Sequence, residues 1–438
     1  MKRYASYKAS GVEWLGDVPE HWKIERLRFR VKLNPSPSRP LDAEHQASFL
    51  PMEAIGDDGT LDLERTRRVG EVASGYTFFE DGDIAIAKIT PCYENGKGAV
   101  MAGLHEGIGF GTTELIVMRP TQGDCPQWLY YLTMCSTFRL PGEALMQGAG
   151  GQKRVPDLFV KDYAAPVPPP DEQQAIADYL DAETARIDTL IQEKEGLIGL
   201  LREWRQSVIA EYTSGANQPQ DKKATGNVHM PRTPSSWAMV RLGKYARIGN
   251  GSTPLKDNAS YWEQGDFPWL NSAVVNQDEV WEGSEYVTPV ALQACHLPIV
   301  EPGALLVALT GQGKTRGQVT VLRIQATINQ HLAYLTLDSE HFDSGYVFWT
   351  LTGMYAALRM VSDGQGGTKG ALTCEDLSRF QVPMPLLAEQ REIAAALAAE
   401  VAKIDTLITH TQEAIALLKE LRAATIADAV LGRVDVRQ

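Results

Sequence analysis

The apolar positions of this chain follow two different rhythms. Up to residue 165, and again over 216–384, short apolar runs such as Ile84-Ala85-Ile86-Ala87 and Leu305-Leu306-Val307-Ala308 are broken by Gly, Pro and Asn, which predicts strands. After each block the period lengthens to that of a helix. Stepping alternately by three and four from Leu180 marks Leu180, Ile187, Leu190, Leu197, Leu201 and Trp204 as a coiled-coil seam. The same steps from Leu397 mark Leu397, Ile404, Leu407, Leu418 and Leu421. Polar residues interrupt both rows at the same two steps, Glu183/Glu400 and Lys194/Thr411. Beside each row runs a second one, Ile191, Ile198 and Ile209 in the first helix and Ile408, Ile415 and Ile426 in the second. The apolar face is therefore wider than a two-stranded seam needs, and a further partner is expected on part of it.

The two helical stretches are copies of one another. Residues 172–215 align with 389–432 without a gap, and 21 of the 44 pairs are identical, including Ile187-Asp188-Thr189-Leu190-Ile191 against Ile404-Asp405-Thr406-Leu407-Ile408. The blocks before them match more weakly. Pro19 and Trp22 answer Pro234 and Trp237, and Trp128-Leu129-Tyr130-Tyr131 answers Tyr346-Val347-Phe348-Trp349. The expected order is a head (1–165), a helix (166–215), a linker with a second head (216–384, the linker over 216–227) and a second helix (385–438). The predicted class is α+β: two mixed α/β heads, mainly antiparallel, separated by two long helices that form an antiparallel coiled coil with an internal pseudo-two-fold repeat. Ordinary core helices are the alternative, although 44 residues of helix are hard to bury in one compact domain.

Composition narrows the chemistry. The formal net charge is −13. The segment 171–215 alone holds ten acidic and four basic residues, which leaves both heads nearly balanced. Such a distribution does not favour nucleic acid, but it leaves the heads free to touch it. Five cysteines (Cys92, Cys125, Cys135, Cys295, Cys374) form no CxxC pair and are read as reduced thiols of a cytoplasmic protein. Neither a membrane span nor an apolar leader behind the N-terminus is expected.

No catalytic constellation emerges, and no cofactor or metal is expected. Ala308-Leu309-Thr310-Gly311-Gln312-Gly313-Lys314-Thr315 approaches a phosphate-binding loop, but Ala308 stands where the first glycine belongs and strand-like residues follow where a helix must open. A hairpin is the better reading. An Asn/Asp-Pro-Pro-aromatic tetrapeptide, a Glu-x-Lys at nuclease spacing and paired histidine ligands are all missing. Cations with the logic of DNA contact are present. Read as one strand, Arg26, Arg28, Arg30 and Lys32 alternate with Leu27, Phe29, Val31 and Leu33 and offer a cationic row; a charged, solvated edge strand is the plainer alternative. Arg241, Lys244 and Arg247 are the thinner counterpart in the second head. Lys153, Arg154 and Lys369 follow glycine clusters, and Lys97, Lys314 and Arg316 sit on the paired hairpins. Antiparallel helices would give the heads an approximate two-fold axis, as a duplex backbone has, and two dissimilar heads would then read an asymmetric, bipartite site.

The residues also resemble a known family. The opening Tyr7-Lys8-Ala9-Ser10-Gly11-Val12-Glu13-Trp14-Leu15-Gly16-Asp17-Val18-Pro19-Glu20-His21-Trp22 resembles that of specificity subunits of type I restriction-modification systems. So does the repeated tract of prolines, Glu-Gln, Ile-Ala and Ile-Asp-x-Leu-Ile, present at Pro168–Gln173 onward and Pro385–Gln390 onward. The second head lacks the Gly-Val-Glu-Trp-Leu-Gly prelude, and Ala388 interrupts its acidic run. The resemblance implies a non-catalytic reader of double-stranded DNA built from two target-recognition domains. It implies two modification (methyltransferase) subunits as partners, and restriction subunits in the full complex. A stand-alone bipartite DNA-binding regulator is the main alternative, and a nucleotide-dependent enzyme built on Gly313-Lys314-Thr315 a weaker one.

Overall fold

The computed structural model describes residues 2–149, 151–311, 313–363 and 370–437. The protein is of mixed α+β class, and its contacts fall into two compact units. One comprises residues 1–195 with 413–438, the other residues 196–412. Each unit holds one β-rich head and a part of each long helix.

In the first unit, Val31–Leu33, Leu115–Pro120, Ile84–Ala87 and Gly98–Val100 form a four-stranded antiparallel sheet in that order. A second sheet runs Thr66–Arg68, Gln46–Leu50, Ile108–Gly111, Thr77–Glu80, with one parallel pair, Gly109 opposite Ser48. All four residues of Ile84–Ala87 are buried, as a strand covered on both faces requires. Helices Pro126–Met134 and Ser136–Ala144 cover the first sheet, and Trp22, Trp128 and Phe138 fill the core. That core continues into the long helices through Ile176, Leu180, Ile426, Ala429 and Val430.

The second unit repeats the plan. Ala246–Asn250, Leu332–Leu337, Leu305–Ala308, Val319–Leu322 and Glu279–Val280 make a five-stranded sheet. Glu285–Val287, Phe267–Leu270 and Thr327–Ile328 make a smaller one. Trp237, Tyr346, Phe348 and Trp349 join Ile209, Leu397 and Val401 in the core. Leu305–Val307 pairs antiparallel with Val319–Val321, so the phosphate-loop-like stretch is a hairpin connection and not the start of a helix. The expected linker is shorter than 216–227. Lys222–Asn227 is a strand paired with Met230–Pro234, so only a few residues separate helix from hairpin.

The long helices span Pro170–Ser214 (45 residues) and Leu387–Val430 (44 residues). The first opens with proline followed by Asp171 and Glu172, which suits the missing N–H and the positive end of the helix dipole. Each ends at a left-handed glycine, Gly215 (φ 70°) and Gly432 (φ 71°). A Cβ at Gly215 would lie 2.6 Å from Pro234 and 2.9 Å from Trp237. At Gly432 it would lie 2.5 Å from Pro19 and 2.9 Å from Trp22. Both positions need glycine for backbone conformation and for close approach.

The buried helical row differs by one residue from the expected seam. Leu180, Thr184, Ile187, Ile191, Ile198 and Leu201 are buried, with Lys194 and Arg205 partly so. Leu397, Val401, Ile404 and Thr411 are their buried counterparts, with Ile408, Ile415, Leu418 and Arg422 partly buried. Every second seam position therefore moves forward one step. Leu190 is only half covered, and Leu197, Trp204, Leu407 and Leu421 are exposed at 44, 49, 48 and 47%. Two adjacent apolar rows satisfy the same period, and the row richer in isoleucine turns inward. Arg205 and Arg422 turn inward because carboxylates meet them there. Within the first unit, Arg422 Nε donates to Asp188 at 2.9 Å; within the second, Arg205 Nε donates to Asp405 at 3.0 Å. In both units the helical segments run in opposite directions. Leu180 shares a cluster with Ile426 while Asp188, two turns on, meets Arg422. Ile209 shares one with Leu397 and Val401 while Arg205, one turn earlier, meets Asp405.

Candidate nucleic-acid interface

The cationic row expected over residues 26–32 does not form. Lys23–Arg26 and Val31–Leu33 are separate strands joined by a 3-10 turn at Leu27–Phe29, which leaves Phe29 62% exposed. The turn follows from the pairing of Lys23–Arg26 with Ala164–Val167, which is extended by Leu27 N–H donating to Tyr163 O. Arg26 and Arg28 both bond Asp162, and Arg30 bonds the buried Asp124 through Nε at 2.8 Å. These three are paired with carboxylates, and Lys32 is exposed. In the second head Arg241, Lys244 and Arg247 are exposed, and Lys244 lies 5.0 Å from the Tyr245 ring centroid.

Lys153 and Lys314 are exposed, while Lys97 bonds Met52 O at 3.1 Å. Arg154 makes a two-pronged bond to Glu114 (2.8 and 2.7 Å), and Arg154 beside it holds the Glu114 carboxyl below its usual range. Arg316 departs from the expected role: it is buried, and its guanidinium donates to Gly370 O. Lys369 lies outside the described residues.

The structure adds three residue pairs that the cation pattern did not single out. Gln173 and Gln390 are wholly buried and make matching bonds. Gln173 Nε2 donates to Pro168 O (3.0 Å) and to Asp124 (2.8 Å), and Oε1 accepts from Cys125 N–H (2.9 Å). Gln390 Nε2 donates to Pro385 O (3.0 Å) and His341 O (2.8 Å), and Oε1 accepts from Asp343 N–H (2.9 Å). Each glutamine thus ties the start of a long helix to the residue that opens a helix of its head (Pro126–Met134 or Ser344–Gly353). The repeated Glu-Gln tract was the available signal, but its role needs the fold.

Arg139 and Arg359 are the second pair. Arg139 is buried and donates to the carbonyls of Thr133 (2.6 Å), Tyr93 (3.0 Å) and Gly96 (3.3 Å). Arg359 donates to Gly313 O and to the Tyr355 hydroxyl (2.9 Å), which itself donates to Lys314 O (2.7 Å). Each head therefore uses a helix arginine to hold the carbonyls of the hairpin loop that bears Lys97 or Lys314.

The third pair is Arg205 and Arg422. Besides Asp405, Arg205 lies 3.5 Å from Asp278 of the second head, whose carboxyl burial pushes up. Asp58 of the first head is pushed up by burial but held below its usual range by hydrogen bonds from Thr60, with Arg422 adding a smaller pull in the same direction. Among the described residues, no cluster of His, Cys, Asp and Glu fit for a metal is found, and no helix is long and apolar enough to cross a membrane.

Comparison with known proteins agrees with this organisation. Residues 234–417 match the family model described as "Type I restriction modification DNA specificity domain". The type I restriction enzyme EcoEI specificity subunit of Escherichia coli is 38% identical over 204 residues, and the EcoAI specificity subunit 36% over the same length. In both cases the match covers 46% of this chain and about a third (34%) of the relative. The putative MjaX specificity subunit of Methanocaldococcus jannaschii is 25% identical over 90% of this chain and 89% of its own. Among solved structures, a chain described under complex assembly and conformational transition of the type I R-M system superposes with a TM-score of 0.77 at 20% identity, over 95% of this chain and 99% of that one. The HsdS subunit from Thermoanaerobacter tengcongensis gives 0.58 at 20% identity, over 95% and 98%. At such identity these structures establish the fold. With the repeated Glu-Gln tract, the family-model match over residues 234–417 and the near full-length relative together, this chain is similar to the specificity subunits of type I restriction-modification systems.

Proposed function

We propose that the protein is the DNA-recognition subunit of a type I restriction-modification complex and reads an asymmetric bipartite target, one half-site per head. The observation that carries this reading is a duplicated set of attachments: head to helix through Gln173 and Gln390, and through Gly432 on Trp22 and Gly215 on Trp237, and helix to helix through Arg422–Asp188 and Arg205–Asp405. A duplicated mount for two dissimilar heads suits a reader of two dissimilar half-sites. The opposed helical segments found in each unit support one continuous antiparallel coiled coil, with the expected domain divisions near 165, 215 and 384.

The chain does no chemistry itself in this reading; modification subunits carry the methyl transfer, and restriction subunits join them in the full complex. The helices offer those partners a surface. Leu200 and Leu417 are each 65% exposed, and Trp204 and Leu421 are 49 and 47% exposed, at equivalent places in the repeat. Twin apolar patches on acidic helices suit two copies of one partner. The interface is thus moved from the Ile191/Ile408 row, which is turned inward, to the Leu200/Trp204 row.

Mapping methylated adenines in cells carrying this subunit with its modification subunit tests the proposal. The expected result is a single bipartite motif that disappears when this subunit is deleted. Methylation that persists unchanged without it refutes the reading. A stand-alone regulator would bind its site with no modification subunit present, and co-purification separates the two.

A further inference from the structure

Three loops meet at the same end of the sheet in each head, joined by equivalent backbone bonds. In the first head, Lys88 N–H donates to Glu114 O (2.8 Å) and Val155 N–H to Lys88 O (2.9 Å). In the second, Leu309 N–H donates to His331 O (2.9 Å) and Leu372 N–H to Leu309 O (2.9 Å). Arg139 and Arg359 fix the adjoining hairpins from behind. The backbone frame is shared, yet the side chains on it are not.

In the second head the frame carries a chain of polar groups. The Thr253 hydroxyl donates to Gln330 Oε1 (2.7 Å), Gln330 Nε2 to His331 Nε2 (3.3 Å), and His331 Nδ1 shares a bond with Thr310 Oγ1 (3.0 Å). Thr253, Gln330 and His331 are all exposed. In the first head the frame carries the Glu114–Arg154 pair in place of His331 and Ala371. Lys153, next to Arg154 in the chain, and Lys314, on the hairpin loop of the second head, are exposed.

Resting on the reading of this chain as a DNA-specificity subunit, we propose that these loop clusters are the base-reading edges of the two heads, with Gln330 and His331 the readers of one half-site and Arg154, held by Glu114, the reader of the other. Phosphate contacts position the protein and carry no sequence information, whereas base edges are told apart by amides, imidazoles, hydroxyls and guanidinium forks. Each cluster presents groups of the second kind, and Lys153 adjoins Arg154 in the first head as one of the first kind. The groups are also held in advance, by one another and by a frame fixed from behind, so little side-chain freedom is lost on binding. A common frame with different side chains is what two unlike half-sites demand. Arg139 and Arg359 are positioning residues, because they hold the hairpin without facing the duplex.

The test uses the full chain assembled with its modification subunits and duplex libraries randomised in one half-site at a time. Gln330→Ala and His331→Ala are expected to reduce base discrimination about tenfold at one or two positions of one half-site and to leave the other half-site unchanged. Arg154→Ala is expected to do the converse. Arg359→Lys is expected to weaken the same half-site as Gln330→Ala, without changing the melting temperature of the first unit. Wild-type preferences in all these variants overturn the assignment, as does an equal loss of affinity across all sequences. Should His331→Ala unfold its head, Gln330→Ala decides, since Gln330 and the groups it bonds, Thr253 and His331, are all exposed. A wild-type complex with no base preference overturns the specificity-subunit reading as well.

Discussion

At the scale of residues, the repeated tract owes its pattern to buried hydrogen bonds. Gln173 and Gln390 have no exposure, and each satisfies a backbone amide at the entrance of a head helix together with a carbonyl at its own helix start. Replacing Gln390 with Ala leaves those groups unpaired and is expected to cost about 1–3 kcal/mol. Calorimetry should register the drop, while Gln174→Ala, which removes only an exposed side-chain bond to Asp178, should barely move the transition. The Glu114 carboxyl sits below its ordinary range because Arg154 hydrogen-bonds it. Its contribution is therefore present above the unfolded carboxylate's pKa and is lost as pH falls through the folded value. In Arg154→Ala the Glu114 carboxyl should titrate at higher pH, as carbon NMR of labelled glutamate would show. The sequence displayed these cations but not their partners. Asp162, Asp124 and Glu114 lie 40 residues or more along the chain from the arginines they hold, beyond the reach of any local pattern.

The elements were legible in kind and ambiguous in phase. Both long helices end at the glycines that close the sequence repeat, because a left-handed stop packed on Pro and Trp admits no other residue. Their inward face could not be settled from spacing, since Leu190 and Ile191, or Leu197 and Ile198, fit one period equally well. The choice depends on Asp188 and Asp405, which draw Arg422 and Arg205 into the seam and leave Trp204 and Leu421 outside. Arg205→Ala removes the partner of Asp405 and of Asp278 at once, but both carboxylates keep much of their solvent, so a loss of only up to about 1 kcal/mol is expected in thermal unfolding. Leu200→Glu with Leu417→Glu should instead leave the melting temperature unchanged and abolish co-purification with the modification subunit. The strand expected across residues 26–33 failed for a related reason. Alternation alone cannot show that Leu27 must turn to reach Tyr163.

For the whole molecule, the order of head and helix was written plainly in a repeat that needs no gap. What the sequence hid is that each compact unit draws on both helices. If the helices space the heads on a duplex, one added heptad in each, within 191–201 and 408–418, extends the rod by roughly 10 Å. The methylated motif should then keep both half-sites and gain about three base pairs between them. An unchanged spacer, read by methylome sequencing, would contradict that role.

The seating of Gly432 against Pro19 and Trp22 has a consequence for how the chain is made. The unit of residues 196–412 is one uninterrupted stretch, ready to fold as soon as it leaves the ribosome. The other unit must wait for residues 413–438, synthesised after residue 412, before Trp22 is covered. Translation is therefore expected to complete the unit of residues 196–412 first, and to leave the preceding residues open to proteases and chaperones until residues 413–438 follow. Pulse-chase proteolysis of stalled chains should find residues 196–412 protected while the earlier residues are still cleaved.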